Sequence, residues 1–92
     1  METYVMLGKY SLEGTKGISA ARSDQARDLV KQNGGELKEV YALMGDVDLI
    51  VIADFPDSAG ALKTSMGLMK LLGVSFRTAR AFTVEQFDKL AV

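Results

Sequence analysis

Residues 45–54 read Gly45-Asp46-Val47-Asp48-Leu49-Ile50-Val51-Ile52-Ala53-Asp54 (GDVDLIVIAD), a turn that launches one strand. Gly45 takes positive φ without a Cβ clash, and the Asp46 and Asp48 carboxylates can accept from nearby backbone N–H groups, so a hairpin is expected. Beyond the turn, Val47, Leu49 and Val51 point one way while Asp48, Ile50 and Ile52 point the other. Past Asp48 neither face suits water, so this strand needs an apolar cover on both sides.

Upstream, Thr3 to Tyr10 alternates, with Val5 and Leu7 on one side and Tyr4, Met6 and Tyr10 on the other, and reads as a first strand. Ser11 to Gly17 (SLEGTKG) breaks the pattern with two glycines and is expected to be a loop. Its GxxG spacing matches that of loops which clamp a nucleic-acid backbone between two helices, but here it follows a strand, and the turn reading is preferred. Ile18 to Asn33 places Ile18, Ala21, Ala26, Leu29 and Val30 at helical spacing, with Arg22, Asp24, Arg27, Asp28 and Lys31 as the wet face. Gly34 and Gly35 stop this helix, and Glu36 to Met44 follows as a half-exposed edge strand.

Downstream, Pro56 ends the pairing of the central strand, and Asp57 or Ser58 offers an N-cap acceptor for a helix running to Leu72. Leu62, Met66, Met69 and Leu72 form one stripe of that helix and are expected in the core, with Gly73 as the stop. Val74 to Phe82 is the fourth strand. Thr83-Val84-Glu85-Gln86 is a capping box opening a short helix to Leu90, with Phe87 and Leu90 as its anchors. The order β-α-β-β-α-β plus a terminal helix predicts an α+β, ferredoxin-like sandwich with strand order 4-1-3-2. Both long helices cover one face. The other face would carry one apolar side of the central strand, and a second copy of the sheet is the expected cover, giving a homodimer or a larger homo-oligomer.

Ninety-two residues suit a single domain spanning 1–92, and 48% hydrophobic with 25% charged residues is the balance of a folded chain. Eleven Lys and Arg against twelve Asp and Glu give a net charge of −1, which argues against nucleic acid as a partner. No segment approaches ~18 uninterrupted apolar residues, so no membrane association is expected, and the cytoplasm is the expected compartment. Cys and His are both absent, which removes thiol chemistry, the commonest metal ligand and the commonest general base near neutral pH. No metal site and no cofactor are expected. Carboxylates, Lys and Tyr remain for any proton transfer.

The chain resembles the GYD domain family of small bacterial and archaeal proteins over about residues 3 to 90. The resemblance rests on YVMLGKYSLEG, GDVDLIVIADFPD and RAFTVEQFDKL. The family motif of Gly, an acidic residue, an aromatic and Asp reads Gly45-Asp46-Val47-Asp48 here, with Val47 in place of the aromatic ring. The resemblance implies the fold of the dimeric α/β barrels, a group that includes cofactor-independent monooxygenases, haem enzymes and the effector-binding domains of Lrp-type regulators. Haem ligation by His is excluded, because there is none. The family itself implies no assigned activity, and fold likeness alone does not choose among these.

Three functions follow. One is a small-molecule-binding or sensing module using a sheet–helix or intersubunit pocket. Another is a cofactor-independent oxygenase or isomerase drawing on Tyr4, Tyr10, Tyr41, Lys9 and Asp48. The third is a structural assembly subunit. The expected site lies where the first strand ends and the central strand begins, with Lys9, Lys16 and Arg77 holding a small acid and Asp48 and Tyr10 beside them. A pairing of Asp48 with Lys9, or a role in capping the hairpin, is the structural alternative.

Overall fold

The fold is that of a computed structural model describing residues 1–91. Strand β1 (Glu2–Tyr10) runs into a single helical turn, α1 (Leu12–Thr15), and then α2 (Ala20–Gln32). Strands β2 (Glu36–Ala42) and β3 (Leu49–Phe55) form the hairpin, followed by α3 (Ser58–Leu72), β4 (Val74–Ala81) and α4 (Val84–Leu90). The four strands make one antiparallel sheet in the order β2-β3-β1-β4, the ferredoxin-like arrangement expected from the element order.

The caps explain the boundaries. Ser19 accepts from the Arg22 N–H at 3.1 Å, so α2 begins at Ala20 and not at Ile18. Asp57 accepts from the Gly60 N–H at 2.9 Å and opens α3, and Thr83 and Gln86 form the reciprocal capping box of α4. Gly73 closes α3 in the left-handed conformation, φ 66°, and its backbone lies against Gly14. The segment 11–17 is therefore not a plain loop. Ser11 caps α1, the Ser11 N–H donates to the Gly73 carbonyl at 2.8 Å, and Gly14 is buried against the end of α3.

Leu49, Val51, Ala53 and Phe55 of β3 face the helices, with Tyr4 and Met6 of β1 beside them, and all are buried. Ile50 and Ile52 face away and are only half-buried, as are Val5 and Leu7, which pair with them across the ladder. The helices thus cover the odd-numbered face of β3.

Two expectations about the helices fail. The buried residues of α3 are Ala61, Thr64, Ser65, Leu68 and Leu72, whereas Leu62, Met66 and Met69 are 60%, 53% and 43% exposed. Ala61, Thr64, Ser65 and Leu68 also recur at spacings of three and four. The helix settles on that small-residue stripe because it lets α3 approach the sheet closely. Phe87 and Leu90 do not anchor α4, which has no buried residue. The hairpin strands are also shorter at the turn than expected: β2 stops at Ala42 and β3 starts only at Leu49, because Gly45, at φ 129°, and its neighbours form a wider turn.

Candidate functional site

Helix α2 buries fully only Val30, with Ala26 and Leu29 half-buried, so its first two turns stand off the sheet. A cleft of about 260 Å³ remains between α2 and the β2–β3 half of the sheet. Leu49 and Val51 of β3 and Leu68 and Leu72 of α3 line it, with Leu37 and Val40 of β2 at one side. Ile18, Ser19, Arg22 and Ser23 line it from the start of α2, and Tyr10 from the end of β1. The lining is mainly apolar with a few converging polar groups, the usual composition of a small-molecule site.

Arg22 is the best-placed cation. Its guanidinium donates to the Gly14 carbonyl at 2.8 Å and lies 5.8 Å from the centroid of the Tyr10 ring. That contact fixes the side chain while leaving further N–H donors of its fork for a carboxylate. The Ser19 and Ser23 hydroxyls lie on the same turn. Arg27, also on the lining, is 3.8 Å from Asp24 in an exposed pair, so its charge is partly matched already.

Of the residues expected to form a site, the structure joins Tyr10 and Asp48. The Tyr10 N–H donates to Asp48 Oδ2 at 2.9 Å, and the Asp48 N–H donates to the Gly8 carbonyl at 2.9 Å. The Asp48 carbonyl in turn accepts from the Leu43 N–H at 2.9 Å, so one residue ties the end of β1 to both arms of the hairpin. Asp48 makes no ion pair with Lys9 among the described residues. Lys9 and Arg77 are exposed and belong to the sheet face turned away from the helices, Arg77 opposite Leu7. Lys16 sits past α1 in an exposed pair with Glu13 at 3.2 Å, on the helix side. The three cations therefore do not meet in one pocket. Gly45 and Asp46 are exposed at the hairpin tip, and Val47 is half-buried there and does not line the cleft.

Sequence reasoning missed Arg22, assigned above to the wet face of its helix. The signal available was the Ile18-Ser19 pair, because a Ser N-cap at 19 places Arg22 in the first turn, where its side chain reaches back over the preceding segment. On the helix-free face, Asp54 accepts from the Thr3 hydroxyl at 2.6 Å and lies 3.5 Å from Lys38 Nζ. The Thr3 hydrogen bond, aided by Lys38, holds the Asp54 carboxyl below its ordinary range. Among the described residues no cluster of acidic side chains could hold a metal ion, and no helix is long and apolar enough to cross a membrane.

A family model described as the GYD domain matches residues 4–91, essentially the whole chain. No curated protein matches it. Among solved structures, the leucine response regulatory protein (LrpA) of Mycobacterium tuberculosis has a similar fold, with a TM-score of 0.59 at 8% identity. The similarity covers 89% of this chain but 51% of that one, so the chain spans about half the length of the regulator. At this identity the likeness is one of fold.

Proposed function

Because the chain belongs to the GYD domain family, we propose that residues 1–92 act as one homo-oligomeric module that binds a small acidic molecule in the cleft under α2. The observation that carries this reading is the cleft itself, where apolar residues of β2, β3 and α3 face a fixed guanidinium, Arg22. Its volume of about 260 Å³ lies just below the range of drug-sized pockets. The ligand class is therefore a compact carboxylic acid with an aliphatic or aromatic body, its carboxylate on Arg22 and Ser19. Asp48 fixes the Tyr10 backbone behind the site and is a positioning residue.

An apolar cleft with a fixed cation at its mouth favours a binding role over a purely structural one. Two copies would pack through the helix-free sheet face, covering Val5, Leu7, Ile50 and Ile52. The test is thermal unfolding in the presence of aliphatic and aromatic amino, keto and hydroxy acids. A ligand at ~100 times its dissociation constant adds ~2.7 kcal/mol, which for a domain of this size raises the melting temperature by about 10–20 °C. Arg22→Ala should abolish that rise. A panel in which no acid shifts the transition, or a shift that survives in Arg22→Ala, refutes the reading.

A further inference from the structure

Among the described residues, the outer face of α3 and the last helix are two apolar surfaces with no cover. On α3, Leu62, Met66 and Met69 recur at i, i+4 and i+7 and remain 60%, 53% and 43% exposed. On α4, Val84, Phe87 and Leu90 recur every three residues and are 75%, 62% and 71% exposed. At 1.5 Å per residue the α3 stripe is about 10 Å long, and the seven residues of α4 have about the same length. Lys63 and Lys70 flank the α3 stripe on one side, and neither takes part in an ion pair among the described residues. Glu85 and Asp88 lie beside the α4 stripe; Glu85 is 3.7 Å from Lys89 in an exposed pair, and Asp88 carries the unmatched negative charge. Apolar rows of equal length therefore carry flanks of opposite charge.

We propose that the outer stripe of α3 receives α4 from a second copy of this chain. Its own α4 is held away by a short link. Phe82 lies under the Arg80 guanidinium, 4.2 Å from it, and Thr83 is committed to the capping box, so little chain is left to fold the helix back. The docking is a helix laid on an apolar stripe, in which the two methionines adapt to the Phe87 ring. If each copy gives its helix and receives the other's, the contact is two-fold and closes on itself. One such contact is small beside the ~1,600 Å² of a standard interface, and reciprocal exchange doubles it.

The chain has no Cys, so introduced thiols report the contact without background. Chains carrying Met66→Cys would be mixed with chains carrying Phe87→Cys and oxidised at micromolar concentration. The expected product is a disulfide-linked pair of one chain of each kind, in clear excess over a control pairing Met66→Cys with Gln25→Cys, an exposed position on α2. Lys63→Glu with Lys70→Glu on the first chain should reduce the yield severalfold, and Glu85→Lys with Asp88→Lys on the second should restore it. Circular dichroism of each variant confirms that it remains folded. A yield equal to the control, or one indifferent to both charge reversals, overturns the proposal. So does a chain bearing both thiols that closes on itself at monomer mass at every dilution, because the occupant would then be its own α4.

Discussion

Replacing Asp48 by Ala removes the acceptor that holds the end of β1 against the hairpin. The carboxylate takes the Tyr10 N–H at 2.9 Å in a partly buried setting, so Ala deletes a hydrogen bond to a charged group and leaves that N–H without its partner. Hydrogen bonds to charged groups contribute about 1.5–3 kcal/mol, and an unsatisfied buried donor costs about 1–3 kcal/mol. The two figures describe the same event, and partial exposure places the expected loss near 2 kcal/mol. For a domain of this size 1 kcal/mol corresponds to about 4–8 °C, so Asp48→Ala should lower the melting temperature by about 8–16 °C. Asp48→Asn keeps an oxygen at the same place without the charge and should lose about half as much. The assay is thermal unfolding followed by circular dichroism, with acid binding to the cleft measured separately on each variant well below its transition. An Asp48→Ala protein that melts with the wild type refutes the assignment of Asp48 as the tie between β1 and the hairpin.

Gly14→Ala places a Cβ 2.5 Å from the Gly73 carbonyl oxygen and 2.7 Å from that of Leu72, both backbone, and should destabilise by about 1–3 kcal/mol or more in urea unfolding. Asp54, whose carboxyl titrates below its unfolded value because Thr3 and Lys38 bind it charged, stabilises the fold above about pH 4 and loses that contribution as pH falls through its folded pKa. Asp54→Asn should therefore be less stable than the wild type at pH 7, and the gap should narrow as the pH falls through the folded pKa of Asp54, as read from urea midpoints. Ile50→Lys with Ile52→Lys alters the half-buried, helix-free face and should leave a folded protein of lower mass by light scattering, associated at most through α3 and α4, whereas unfolding would place those side chains in the core. Thr83→Ala removes the cap of α4, which has no buried residue, so in dilute, unassociated protein the main unfolding transition should stay within ~1 °C while helical ellipticity falls slightly.

Local rules written in the residues settled the elements of this chain. Alternation marked three strands and an apolar run marked the central one, while the single turn of α1 was hidden in what read as a loop. The stop at Gly73 and the Thr83–Gln86 box depend on backbone conformation and hydrogen bonds within a few residues, so they are legible without the fold. With β-α-β-β-α-β in hand, the right-handed crossover rule left one topology, and the family motif at Gly45–Asp48 pointed to the turn that Asp48 ties to β1. On α3 the hydrophobic pattern pointed to the wrong stripe. Leu62-Met66-Met69 is the more hydrophobic, yet Ala61, Thr64, Ser65 and Leu68 face the sheet, because the close approach of a helix to a sheet rewards small side chains at the contact. Nor could sequence patterns place the site. Lys9, Lys16 and Arg77 are drawn together when the sheet is read as a list of strand ends, but alternation along β1 and β4 puts Lys9 and Arg77 on the face opposite the helices, while Lys16 follows α1 on the other side. Arg22 joins Tyr10 only because Gly14 packs on Gly73 and brings the Gly14 carbonyl within reach of the guanidinium, a contact between segments about sixty residues apart that no local pattern encodes.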